Sequence, residues 1–142
     1  MAESSITTDV NVKNDTSELD SLKGIFPTLD NIVDDLKSRL NSACGNFAQR
    51  IAVQVMQYEQ MEFNYHKHPY ETGVGGNSFY AKDNGDTSWT VDNSAENNGF
   101  PYMVTEELGS NPGRKLTPHP FAAPAREVVR DEVEDMWKEV WG

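Results

Sequence analysis

The feature that most limits how this chain can fold is one long apolar stripe at helical spacing. Ile32, Leu36, Leu40, Ala43, Phe47, Ile51, Val55 and Tyr58 follow one another at steps of four and three, and Val33, Cys44, Ala48 and Ala52 widen the band. That period puts the apolar side chains on one face, so the spacing predicts a helix from Leu29 to about Tyr58. About thirty residues at a rise of ~1.5 Å make a rod of ~45 Å. Asp30 or Thr28 is placed to cap its start. Asp34, Lys37, Ser38, Asn41 and Gln49 fall off the stripe and should face solvent. Gly45 inside the helix is either a weak point or a site of close packing.

A rod of this kind needs elements to cover its face. The second helical pattern runs from Pro124 to Trp141, with Ala125, Val129, Val133, Met136 and Val140 on one side and Val128, Trp137 and Trp141 beside them. Pro124 suits a first turn, where an N–H would lack a partner anyway. Arg130 and Glu134 are spaced as an i,i+4 pair. Helix ends fray, so Trp137 and Trp141 need a surface to bury on, either the long helix or another subunit. Between the helices, Ser78–Lys82 and Ser88–Asp92 alternate as strands, with Trp89 and Val91 on one face. Asp83-Asn84-Gly85-Asp86 reads as the turn joining them. Asn93–Gly99 is a polar loop, and Phe100–Leu108 is a third strand or, slightly favoured, a helical turn ended by Gly109. The fold class is α+β: one long helix, a small antiparallel sheet and a C-terminal helix.

Residues 1–19 are polar and acidic, with Ile6, Val10 and Val12 isolated among Thr, Asn and Asp. Too few apolar groups stand there to offset chain entropy. The expectation is an extended or disordered arm that is ordered only by a neighbouring subunit, followed by a single domain over 20–142. Leu22, Ile25 and Phe26, closed off by Pro27, read as a lid or hinge over the core.

The net charge of −11 argues against gripping nucleic acid, because that affinity rests on Lys and Arg neutralising phosphates. It is compatible with a surface past which DNA slides. No run approaches the ~20 apolar residues of a membrane span, and no secretory signal is expected at the start. Cys44 is the single cysteine, read as a small buried apolar residue. His66 and His68 flank Lys67, with Glu59, Glu62 and Glu71 within reach in sequence, but no third His or Cys stands at a ligand spacing. Gly73-Val74-Gly75-Gly76 lacks the Lys-Ser/Thr of a phosphate loop. No cofactor, metal or catalytic group is expected.

The remaining stretch, Phe100 to Val129, organises the chain. It holds Phe100-Pro101-Tyr102-Met103-Val104, then Glu106-Glu107-Leu108-Gly109, then a loop carrying Arg114-Lys115, then Thr117-Pro118-His119-Pro120-Phe121-Ala122-Ala123-Pro124-Ala125. Each proline fixes φ and pushes the residue before it to extended geometry, so Pro118–Phe121 is a stiff rod with one aromatic anchor. Such an anchor is a core strap or a contact to a neighbour.

This order of residues resembles the head-proximal neck and tail-completion proteins of tailed bacteriophages. The matching positions are Tyr102, Val104, Glu107, Gly109, Pro118, Pro120, Phe121, Pro124 and Ala125, with Pro69-x-x-Thr72-Gly73 similar to that family's approach to its sheet. The similarity spans roughly Ile32 to Trp141. It implies a structural virion protein, made in the host cytoplasm, that forms a homo-oligomeric ring, a hexamer, in the neck or at the top of the tail. Its partners would be its own copies, a head connector or head-completion protein, and a tail terminator or tail tube protein. Double-stranded DNA would pass through without sequence-specific binding. The residues expected at subunit or partner interfaces are Tyr102, Glu107, Gly109, Arg114, Lys115, Pro118, Pro120, Phe121, Pro124, Trp137 and Trp141. The residues alone leave two other readings: a small metal-assisted hydrolase using His66 and His68, and a monomeric binding module.

Overall fold

The computed structural model describes residues 6–26, 28, 30–65, 75–96, 103–108, 110–111, 114–115 and 120–141. In chain order these form β1 (Thr8–Asn11), α1 (Ser17–Ile25), α2 (Asp30–Tyr65), β2 (Phe79–Gly85), β3 (Ser88–Asn93), α3 (Met103–Leu108), β4 (Ser110–Asn111), β5 (Arg114–Lys115) and α4 (Ala122–Trp141). This is the α+β architecture that the periodicities predict.

α2 runs 36 residues, past the predicted stop at Tyr58, because its inward face continues through Glu59 and Phe63. The buried residues along it are Val33, Ala43, Cys44, Ala48, Ala52, Val55, Glu59 and Phe63. That face is rotated from the predicted stripe. Ile32 is 58% exposed, and Leu36 and Leu40 are only half-buried. The small side chains win the centre because Ala48 and Ala52 let the sheet and α4 approach the rod. Both alanines share one cluster with Val10, Val55, Val91, Val129 and Met136. α4 runs antiparallel along α2: Arg50 meets Glu139 at 3.1 Å and Tyr58 donates to Glu132 at 2.8 Å. Burial pushes the Cys44 thiol up from its ordinary range, as its reading as an apolar filler requires.

The sheet is antiparallel with strand order β1-β3-β2. β3 is central, with Val91 facing Thr8 on one side and Ala81 on the other. The hairpin turn falls later than predicted. Asp83 and Asn84 stay in β2, and the loop is Asp86-Thr87, at φ 50° and 61°. Positive φ at both loop residues matches the right-handed twist of the flanking strands.

The N-terminal segment departs most from expectation. Residues 1–5 lie outside the described residues; from Ile6 onward the segment packs on its own chain, across the boundary expected at residue 19. Thr8–Asn11 completes the edge of the sheet in its own chain, with Ile6 and Val10 buried. An unpaired strand edge offers a row of backbone donors and acceptors, and pairing with it needs little apolar content. α1 is likewise no lid: it buries no residue. Leu22, Ile25 and Phe26 are 39%, 66% and 51% exposed. Lys23–Asp34 (2.8 Å) and Lys37–Asp20 (2.6 Å) tie α1 to α2.

Two glycines give opposite expectations. A Cβ at Gly75 would lie 3.0 Å from both Met103 Sδ and Phe63 Cζ, whereas one at Gly45 would meet nothing within 4 Å. Gly75→Ala should therefore cost about 1–3 kcal/mol by overpacking. Gly45→Ala should stabilise by roughly 0.5–1 kcal/mol through helix propensity. Thermal unfolding of the two variants should move the melting temperature in opposite directions.

Candidate functional site

α3 is short, and Met103 and Glu107 stand one turn apart on it. Both are buried, at 0% and 6% exposure, so this side of the helix faces inward. Its carboxylate meets the start of α4. Glu107 Oε1 accepts from the N–H groups of Phe121 and Ala122, both at 2.8 Å, and Oε2 accepts from Ala123 N–H at 3.2 Å. The first turn of any helix has four N–H groups without an intrahelical partner. Phe121 O accepts from Ala125 N–H at 3.3 Å, which fixes Phe121 as the residue where that turn begins. Three of the four donors are then taken by Glu107, and the fourth position is Pro124, which has no N–H. A negative charge at this end also opposes the positive pole of the helix.

Phe121 turns from this cap into an aromatic cluster. Its ring meets Phe63 of α2 at 5.8 Å and 89°, and Phe79 of β2 at 5.5 Å and 79°. Phe63 meets Phe79 at 6.0 Å and 70°. Edge-to-face pairs at these separations are the favoured geometry for ring quadrupoles. Ile6, Ala95, Met103 and Ala122 close the cluster.

The aromatic anchor is thus a core strap. Phe121 is 0% exposed in the single chain, so it has no surface left for a neighbour, and the expected interface role is corrected. The same holds for Glu107, whose carboxylate is used inside the subunit. Of the other expected interface residues, Pro120 is exposed and Pro124 half-buried. Trp137 finds its surface on its own long helix, 5.1 Å from Phe47, and Trp141 stacks on it at 5.8 Å and 5°. Trp141 stays 47% exposed. Arg114 and Lys115 form β5, whose backbone pairs with β4. Tyr102, Gly109 and Pro118 lie outside the described residues, as do His66 and His68. Among the described residues no group of three or more His, Cys, Asp or Glu is arranged to hold a metal, and no helix is long and apolar enough to cross a membrane.

Beside the capped joint lies a group that sequence reasoning placed only as a helper to a metal. Glu59 of α2 is 0% exposed, and among the described residues neither carboxylate oxygen has a hydrogen-bond partner. Burial pushes its pKa up to about 8. Arg126 on α4 opposes the rise, while Glu107 and Asp92 reinforce it. Arg126 donates to Thr8 Oγ1 at 3.1 Å, and Asp92 Oδ2 accepts from the Thr7 hydroxyl at 3.0 Å. The signal for Glu59 was available in the spacing: it stands four residues after Val55 and four before Phe63, on the apolar face itself.

The site therefore combines a fully used carboxylate with a buried protonated one. Neither presents a reactive group to solvent; Glu107 ties α3 to the start of α4, and Arg126 ties α4 to β1. Comparison with known protein families, curated proteins and solved structures finds no match.

Two stability predictions follow from these contacts. Glu107→Ala leaves three helix-start donors unpaired and should cost about 2 kcal/mol or more. Phe121→Ala should cost about 3–5 kcal/mol. Both losses should appear in thermal unfolding of the isolated chain, and an unchanged melt for Phe121→Ala would return that ring to an interface.

The pH dependence has a definite sign. Glu59 keeps its proton in the folded state up to about 8, whereas its ordinary value is 4.5. Between those values the folded chain binds the extra proton, so its contribution to stability falls as pH rises and levels off above the window. The slope is at most about 1.4 kcal/mol per pH unit. Glu59→Gln should flatten it, as read by melting temperatures at both ends of the window.

Proposed function

We propose that this chain is a structural virion protein of a tailed phage, forming a ring in the neck or at the top of the tail. In this reading it joins the head connector to the tail tube and lets DNA pass. The observation that carries the reading is the ordered motif running from Tyr102 through Glu107 and Gly109 to Pro120-Phe121-x-x-Pro124-Ala125. The structure gives two distant parts of that motif a common reason: the acid at 107 and the helix start at 121 form one joint. A pattern whose members depend on one another is a better signature than the same residues scattered by chance.

The ring contacts are reassigned from the motif to outward-facing groups. Ile25, Phe26 and Ile32, at the tip formed by α1 and α2, are 66%, 51% and 58% exposed, and Trp141 adds an exposed ring. Ile25 and Phe26 are adjacent in the chain, and exposed apolar groups that lie together mark interaction sites. A net charge of −11 suits a lumen that repels DNA at short range.

The test is made in the particles. Gold-labelled antibody against this chain should decorate the junction of head and tail. Phe26→Ser should leave the melting temperature of the isolated chain nearly unchanged while heads and tails accumulate unjoined. Label on the capsid shell or the tail tip, or normal joining by Phe26→Ser particles, would contradict the proposal.

A further inference from the structure

Strand β1 is held at the edge of the sheet by one backbone ladder, by the buried Ile6 and Val10, and by side-chain bonds that include Thr90 Oγ1 donating to Asp9 Oδ1 at 3.1 Å. Its backbone pairs with β3 from Thr8↔Val91 to Asn11↔Ser88. The Thr7 hydroxyl donates to Asp92, and Arg126 reaches across from α4 to Thr8. Just beyond the strand, Val12 N–H donates to Thr87 O at 3.1 Å. The guanidinium that holds Thr8 is also the cation that bears on Glu59, whose two oxygens are buried with no hydrogen-bond partner among the described residues. Glu107 from α3 and Asp92 from β3 are the anions that bear on it. Among the described residues, β1 and β2 add no charge that does so.

We infer that Glu59 is an ionisable latch for β1: when it loses its proton, Arg126 turns from Thr8 to the new carboxylate, and the strand loosens at the edge of β3. The physical reason is competition for one cation. A neutral buried acid tolerates missing partners at modest cost, but a buried carboxylate does not. Arg126 carries five N–H donors in a rigid fork that matches a carboxylate. Its acceptor among the described residues is a neutral hydroxyl, and a hydrogen bond to an ionised oxygen is roughly twice as strong. The proton passes to solvent base, and no other group changes charge. Glu107 is itself held by three backbone donors, so it stays on α4 while Arg126 moves. What is released is a four-residue edge strand, followed by residues 11–16, none of which is buried.

Hydrogen exchange of the full chain tests this inference independently of any virion role. Exchange is followed by mass spectrometry at about pH 6.5 and about pH 9, on either side of the ionisation, with intrinsic rates corrected. Loss of one bond to a charged donor predicts that peptides over residues 6–12 lose protection by about tenfold or more at the higher pH. Peptides from α4 should keep theirs, and Glu59→Gln should abolish the difference. Equal protection of β1 at both pH values would overturn the latch, as would an equal rise in Glu59→Gln or a rise shared by α4. Thr8→Val removes the Arg126 acceptor without touching the acid, and serves if Glu59→Gln does not fold. It should bring β1 at the lower pH to the exchange seen in the parent at the higher pH. No change in that variant would also overturn the inference.

Discussion

A single carboxylate fixes where the last helix begins. Glu107 takes the free N–H groups of Phe121, Ala122 and Ala123, and Pro124 removes the need for a fourth acceptor. Without that cap the start of α4 would carry buried donors with no partner. With it, Phe121 leaves the cap pointing at Phe63 and Phe79, and the helix axis is set along α2. The position of Val129, Met136 and Trp137 on the long helix follows from that first turn. A short helix of six residues is thereby made responsible for the placement of one of twenty.

The same junction carries a cost. Closing α3, α4 and β3 over α2 buries Glu59 with no hydrogen bond among the described residues, where burial favours its neutral form. The chain is consequently tight at the seam of α2 and α4, and lightly held at its outer edges. β1 rests on a four-residue ladder, and α1 on exposed ion pairs, with its apolar residues outward.

Much of this fold can be read from spacing. The four-and-three steps of the long helix, the alternation around Trp89 and Val91, and the Pro124 start with its apolar face all correspond to observed elements. The rotation of α2 is not readable, because periodicity locates a stripe but not which part of it a neighbour covers. Ile32 lies on the pattern and is exposed, since α1 buries nothing against it. Nor is β1 readable: edge pairing is made by backbone groups, which carry no side-chain signature. Glu59 illustrates the opposite failure. Its place on the apolar face is visible, but the habit of assigning carboxylates to solvent or metals hides it. Phe121 was open between core and interface from spacing alone, and only the rings of Phe63 and Phe79, distant in sequence, decide for the core.

The joint between Glu107 and α4 also explains why a motif can look like an interface and be internal. Rigid prolines and one large aromatic ring favour any contact, within a subunit or between subunits. The most direct measurement of this account is amide exchange by NMR at Phe121, Ala122 and Ala123 in the isolated chain. The account predicts that all three amides are strongly protected in the parent and exchange freely in Glu107→Ala, while amides in the middle of α4 change little. Equal protection of those three amides in Glu107→Ala would mean that another acceptor holds the helix start, and would contradict the claim that this carboxylate organises the fold.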